Sequence, residues 1–220
     1  MDRGFYFEFL YPFQDEVFEI LRHVETNLYL SGGTAASRGY LHHRFSDDLD
    51  LFANDAPEFS LWAGRVIDAL SSADPWRVHV VLNEERFVRA NLIREQGSLK
   101  IELINDVPAH VGELKEHPVL GRLDSAENIL ANKLTAVVDR EEPKDLADVW
   151  GFCSQMKLSI DDALINAHSK AAGLFAADVA RVLLSAKEDD WHLVRWIEPP
   201  VVGTFLSDLH RLGENLLLVE

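Results

Sequence analysis

Apolar side chains recur along this chain with two periods, and the dominant period changes near its middle. Between 14 and 26 the positions Val17, Phe18, Leu21 and Val24 fall three and four apart, which predicts an amphipathic helix. A short strand at 28–31 follows. Gly32 and Gly33 then interrupt regular structure, and 34–41 resumes as a helix whose amino end faces the glycines. Next come a strand at 49–53, a helix at 57–70 opened by Pro57 in its first turn, and an alternating, half-buried strand at 76–82. Strands at 87–93 and 98–104, joined at Gln96-Gly97, read as a hairpin.

After Pro118 the helical period takes over. Asp124, followed three positions later by Glu127, resembles a capping box with Asp124 as the cap, ahead of a helix that reaches Arg140. Pro143 opens another helix through Cys153, and 161–168, 171–186, 191–197 and 201–218 continue as helices around a break at Pro199-Pro200. The fold class is therefore α+β: a small mixed β-sheet with flanking helices, then a mostly helical carboxy-terminal half. The expected division is an α+β core at 1–110 and a helical region at 111–220, packed on the core and contributing to its cleft.

Composition narrows the function. The 220 residues are 47% hydrophobic and 26% charged, with a formal charge of −16, which excludes fibrous, disordered and disulfide-scaffold classes. Such acidity repels phosphate polymers, so nucleic acid would have to be gripped locally rather than coated indiscriminately. A lone cysteine, Cys153, cannot form an intramolecular disulfide and reads as a small buried apolar residue. The aromatic amino terminus is interrupted by Asp2, Arg3 and Glu8, and no uncharged apolar run approaches the roughly 20 residues needed to cross a bilayer. A cytoplasmic protein without a membrane partner is expected.

Chemistry concentrates in 29–52, YLSGGTAASRGYLHHRFSDDLDLF. Asp48 and Asp50 alternate along the strand, so both carboxylates share one face, where they repel unless a hard cation lies between them. Upstream, Ser31, Gly32 and Gly33 offer backbone N–H groups at a helix start, where an anion meets no Cβ. Each half taken alone is commonly a simple turn or a solvated strand end. Together, in this order, they form a phosphate cradle followed by a carboxylate pair, as nucleoside triphosphate chemistry requires.

The run Gly32-Gly33-Thr34-Ala35, followed by Arg44-Phe45-Ser46-Asp47-Asp48-Leu49-Asp50-Leu51-Phe52, resembles the signature of the AbiEii/AbiGii toxin family of minimal nucleotidyltransferases, within the DNA polymerase β-like superfamily. The resemblance implies that Asp48 and Asp50 bind metal, Mg2+ or Mn2+, and that Gly32, Gly33, Thr34 and Ser46, with Ser31 beside them, contact the triphosphate. Lys100-Ile101-Glu102-Leu103-Ile104 is similar to the family strand that carries a third carboxylate, here Glu102, a metal ligand and base for the attacking hydroxyl; read by itself, Glu102 is equally an outward charge on an edge strand.

A further matching block spans 125–136 and continues to Arg140 and Pro143-Lys144-Asp145-Leu146-Ala147-Asp148. Lys133 and Arg140 lie two helical turns apart on one face, and Asp145 and Asp148 share another, so cations confront anions across a helical corner. By resemblance Lys133 stands near the nucleotide phosphates, with Arg140 and Lys144 as further phosphate cations and Asp145 in the active centre. Without the resemblance, a salt-bridged corner explains the same residues.

The implied activity is a magnesium-dependent transfer of a nucleoside monophosphate from a triphosphate to a hydroxyl acceptor, releasing pyrophosphate. Relatives that act as toxins or modify tRNA ends imply an RNA acceptor and a separate antitoxin chain. The competing account is a noncatalytic nucleotide- or partner-binding module that keeps the scaffold. His42 and His43 do not make a metal-hydrolase pair, since adjacent helical residues diverge, and the five tryptophans are not interleaved with a basic run.

Overall fold

The computed structural model describes residues 3–171 and 173–218; Ala172, inside the helix expected at 171–186, lies outside the described residues. The chain divides into two compact units. One takes the chain up to Ala35 and again Ser46–Asp124, and the other takes Ala36–Phe45 and the chain from Ser125 onward.

The first unit opens with α1, which runs π-helically over Phe5–Leu10 and continues as an α-helix over Tyr11–Leu21, where Pro12 occupies a first-turn position that needs no N–H donor. Then come β1 (Tyr29–Ser31), α2 (Gly32–Thr34, continued π-helically by Ala35–Leu41 into the second unit), β2 (Leu49–Asn54) and α3 (Phe59–Ser71). The remaining strands are β3 (Arg77–Glu84), β4 (Phe87–Arg94), β5 (Gly97–Asp106), β6 (Lys115–His117) and β7 (Gly121–Leu123). Among the described residues they form one mixed sheet in the order β3-β4-β5-β2-β1-β7-β6. The β2–β5 and β1–β7 pairs are parallel and the others antiparallel.

Alternation sets the two faces of the sheet. Leu49, Leu51 and Ala53 of β2 and Leu99, Ile101 and Leu103 of β5 are buried, with Val17 and Phe18 of α1 and Phe59, Val66 and Leu70 of α3 adding to the core of this unit. The intervening positions, Asp50 on β2 and Lys100 and Glu102 on β5, face the other way. Register then aligns Ser31, Asp50, Glu102 and Arg89 side by side across four adjacent strands.

The structure departs from the sequence reading in several places: the first helix runs over Phe5–Leu10 and Tyr11–Leu21 and not over 14–26, the helices expected at 171–186 and 191–197 span Ala176–Leu184 and Glu188–Leu193, and the short strands β6 and β7 were not expected. The strand near 76–82 is an exposed edge, with Val80, Val81 and Leu82 open to solvent, because it pairs only with β4 and its register slips between Val80 and Leu82. The hairpin turns at Glu95-Gln96, with Arg94 opposite Gly97; Gly97 begins β5 where a Cβ would stand 2.9 Å from the Phe9 ring. The helix after Asp124 is capped by Ser125, whose Oγ accepts from the Asn128 N–H at 3.0 Å, because Asp124 is committed elsewhere.

The second unit gathers 36–45 with α4 (Ala126–Arg140), α5 (Pro143–Trp150, continued π-helically by Gly151–Gln155), α6 (Ile160–His168), α7 (Ala176–Leu184), α8 (Glu188–Leu193) and α9 (Val202–Leu218). Helix α4 packs against α5, α6 and α7, and α9 crosses α7 closely enough that a Cβ at Gly213 would lie 3.2 Å from the Ala180 carbonyl oxygen. The 36–45 segment joins this unit through its backbone: Phe45 N–H donates to the Arg195 carbonyl at 2.7 Å and Ile197 N–H to that of His43 at 2.9 Å. Trp150, Trp196 and Phe205 meet edge to face beside it; Trp150 is a core group and Trp196 is partly exposed. Among the described residues no helix is long and apolar enough to cross a membrane.

Candidate active site

The loop that carries Asp48 is held from behind by α1. Tyr6 Oη donates to Asp47 Oδ1 at 2.7 Å, Gln14 Nε2 donates to the Asp47 carbonyl at 3.0 Å and reaches the Ser46 carbonyl at 3.4 Å, and Tyr11 Oη accepts from Ser46 N–H at 3.4 Å. Thr34 fixes the same loop from the glycine side, its hydroxyl donating to the Asp48 carbonyl at 2.5 Å. Sequence reading missed Tyr6, Tyr11 and Gln14; the buried glutamine on an apolar helix face was the available signal.

Gly32 sits at a φ of +66°, and a Cβ there would stand 2.5 Å from Asp50 Oδ2. Both the backbone angle and the carboxylate exclude a side chain. The strand-to-helix elbow therefore brings bare backbone against the Asp50 carboxylate. Ser31, which ends β1, is buried and donates its hydroxyl to Asp124 Oδ2 at 2.5 Å, while His110 Nε2 lies 2.9 Å from Asp124 Oδ1 and Asp124 N–H donates to the Leu30 carbonyl at 2.9 Å. The Ser31 hydroxyl thus braces the elbow from below. The nearby Tyr29 phenol is pushed well above its usual range, first by burial and then by Asp124 and Asp106.

On the polar face of the sheet, Lys100 Nζ lies 3.0 Å from Asp48 Oδ2 and 3.3 Å from Glu102 Oε1, and Arg89 Nε donates to Glu102 Oε1 at 2.6 Å. Burial alone would raise the Glu102 pKa, but the Arg89 hydrogen bond and the Lys100 charge outweigh it and hold the carboxyl below its usual range. Burial alone would depress Lys100, yet Asp48 first and then Glu102 and Asp50 hold it above the ordinary lysine value. Both groups are charged at neutral pH.

In the second unit, Asp148 is fully enclosed. Arg44 grips it bidentately, Nε to Oδ1 and Nη2 to Oδ2, both at 2.7 Å; Lys133 Nζ lies 2.6 Å from Oδ2 and His43 Nε2 3.1 Å from Oδ1. Lys133, itself 5% exposed, also donates to Asp145 Oδ1 at 2.7 Å, and Arg140 grips Asp145 through Nε at 2.7 Å and Nη2 at 2.9 Å. Cations and anions do face each other across the α4–α5 corner. Burial would raise both aspartates, but Arg44 and Lys133 hold Asp148 well below its usual range, and Lys133 with Arg140 lowers Asp145. Burial lowers the His43 pKa despite Asp148, so its ring is neutral. Lys144, 2.7 Å from Glu142, is half-exposed, as is Arg140.

The donors on the sheet suit a hard divalent cation. Asp48 and Asp50 offer carboxylate oxygens only, at one strand end, beside the side-chain-free backbone of Gly32. Among the described residues no three His, Cys, Asp or Glu side chains group as a cage for a metal ion. Magnesium needs none, since it commonly takes one or two carboxylates and completes its shell with water and substrate phosphates. Glu102 is engaged by two cations on the same oxygen.

The family described as nucleotidyl transferase AbiEii toxin, of type IV toxin–antitoxin systems, matches residues 19–195. No curated protein matches the chain. Three solved structures share its fold. JHP933 from Helicobacter pylori is 19% identical with a TM-score of 0.64, over 98% of this chain and 92% of that one. A putative nucleotidyltransferase from H. pylori is 18% identical with a TM-score of 0.62, over 93% of each chain. MenT4, a nucleotidyltransferase toxin from Mycobacterium tuberculosis H37Rv, is 18% identical with a TM-score of 0.61, over 96% of this chain and 84% of that one. With a mixed sheet carrying the elbow and carboxylates, and a family match that spans both units, the chain belongs to the AbiEii nucleotidyltransferase toxin family.

Proposed function

We propose that this chain transfers a nucleoside monophosphate from a triphosphate to a hydroxyl acceptor, releasing pyrophosphate, and that it does so with Mg2+ or Mn2+ as the toxin of a pair whose antitoxin is a separate chain. The observation that carries this reading is the elbow at Gly32, whose φ of +66° brings bare backbone against the Asp50 carboxylate. Asp48 and Asp50 would hold the metal, which when bound neutralises phosphate charge and aligns the transferring group.

The remaining work falls to the chain itself. N–H groups of Gly32 and Gly33 meet the phosphate oxygens, Thr34 keeps the Asp48 backbone in place, and Ser46 stands two residues before Asp48. Glu102 holds Lys100 and Arg89 at the edge of the site, and as an ionised carboxylate it can accept a hydrogen bond from an acceptor hydroxyl. Arg140 and Lys144 offer half-exposed charge to phosphate, whereas the Lys133 ammonium is buried between Asp145 and Asp148, and Asp145 orients it. The acceptor is an RNA in the cytoplasm, held locally because the net charge of −16 opposes broad nucleic-acid binding.

Incorporation of α-labelled nucleotide tests the reading. Asp48→Asn and Asp50→Asn should each remove at least about 99% of incorporation while circular dichroism stays unchanged, a loss on the scale of one electrostatic contact to the transition state. Turnover surviving both changes would reject the assignment. A noncatalytic module is favoured by one feature, the prior ion pairing of Asp48 and Glu102 with Lys100; it predicts nucleotide binding without pyrophosphate.

A further inference from the structure

Lys100 places a tethered monocation at the carboxylate cluster. Its ammonium lies 3.0 Å from Asp48 Oδ2 and 3.3 Å from Glu102 Oε1, with Asp50 beside Glu102 in the sheet register. We propose that Lys100 is a resident counter-ion at the proposed metal site, one that opposes binding of the metal by itself and gives way when metal and triphosphate arrive together. The inference rests on the nucleotidyltransferase reading and adds to it how the site is loaded.

Three observations support the exchange. A divalent ion that takes Asp48 Oδ2 must replace the ammonium already there, since both cations seek the same oxygen. Lys100 and Asp48 are about one-third and two-fifths exposed, so the pair is wet and weak, and its rupture is a small barrier. Glu102, by contrast, is 14% exposed and stays neutralised by Arg89 at 2.6 Å after Lys100 departs. The ammonium alone is left needing an anion, and a triphosphate supplies one.

Asp48, Asp50 and Glu102 carry three negative charges, and Lys100 with Arg89 carries two positive ones, so a bare divalent ion would turn this row net positive. Metal with triphosphate brings net negative charge instead, and its phosphate oxygens offer Lys100 a partner in place of Asp48. The flexible stem and compact charge of lysine suit a group that changes partners.

The test uses the full chain and two binding measurements, neither of which needs turnover. Free Mn2+ is followed by electron paramagnetic resonance without nucleotide, and each ribonucleoside triphosphate is titrated calorimetrically at saturating Mn2+. Lys100→Met should bind Mn2+ alone about fivefold more tightly than the parent and the triphosphate about fivefold more weakly, the scale of one partly exposed ion pair. Lys100→Arg should restore triphosphate affinity. A merely structural lysine would weaken both, so opposite signs are the signature, and matched melting curves exclude misfolding. Unchanged or weaker Mn2+ binding by Lys100→Met overturns the proposal while the metal site stands, provided that Asp48→Asn abolishes Mn2+ binding. Absence of Mn2+ binding by parent and variant, with and without triphosphate, overturns both.

Discussion

Asp148 shows how a single carboxylate can determine a whole corner. It is fully enclosed, and its two oxygens take a bidentate arginine, a lysine and a histidine ring. Buried charges persist only when fully matched, so removing the anion strands Arg44 and half of the Lys133 coordination in a dry setting. Asp148→Asn should therefore destabilise the fold by about 3 kcal/mol or more, read as a drop in the urea midpoint with an unchanged slope. Sequence spacing alone made this corner legible as opposed charges, because seven and three are helical intervals. It did not reveal that Arg44, 104 residues upstream, completes the cluster, since no local pattern encodes a contact at that separation.

At the scale of elements, α1 is the support that pattern reading understated. The apolar period over 14–26 predicted a packing helix, but the helix starts at Phe5, and Tyr11 and Gln14 hold the Ser46-Asp47 backbone while Tyr6 holds the Asp47 carboxylate. A π-helical start widens the turn at Phe5–Leu10 and changes which residues share a face, which a fixed period of 3.6 cannot anticipate. Gln14→Leu removes a buried donor while keeping volume. It should lower incorporation about tenfold with triphosphate affinity nearly unchanged, because a loosened Asp48 loop misplaces the reacting groups more than the bound ones. The strands of the sheet were legible where they alternate over six residues or more, as in β2 and β5, and where the glycine pair ends one, as in β1; the three-residue β6 and β7, with no such mark, were invisible.

For the molecule as a whole, buried charge sets the response to pH. His43 has a folded pKa below its usual 6.5 because burial disfavours the imidazolium, so the unfolded chain binds its proton first as pH falls. Asp145 and Asp148 are depressed below the usual carboxylate value, so the stability they contribute is present above about pH 4 and is lost as pH falls through their folded values. All three act in one direction. Thermal melting should weaken gradually from pH 7 to 5 and steeply below 4, and His43→Asn should flatten the first phase alone. At the alkaline end the Cys153 thiol is pushed up to about 12, chiefly by burial, consistent with a core residue.

The 36–45 excursion into the second unit also has a consequence for synthesis. Arg44 leaves the ribosome 104 residues before Asp148, so at ordinary elongation rates its guanidinium waits on the order of 5–20 s for its buried anion to be made. A translation product interrupted between Asp50 and Asp148 contains the glycine elbow and both aspartates, yet lacks the counter-charge that lets the 36–45 segment settle, so a stalled message yields an unfinished toxin.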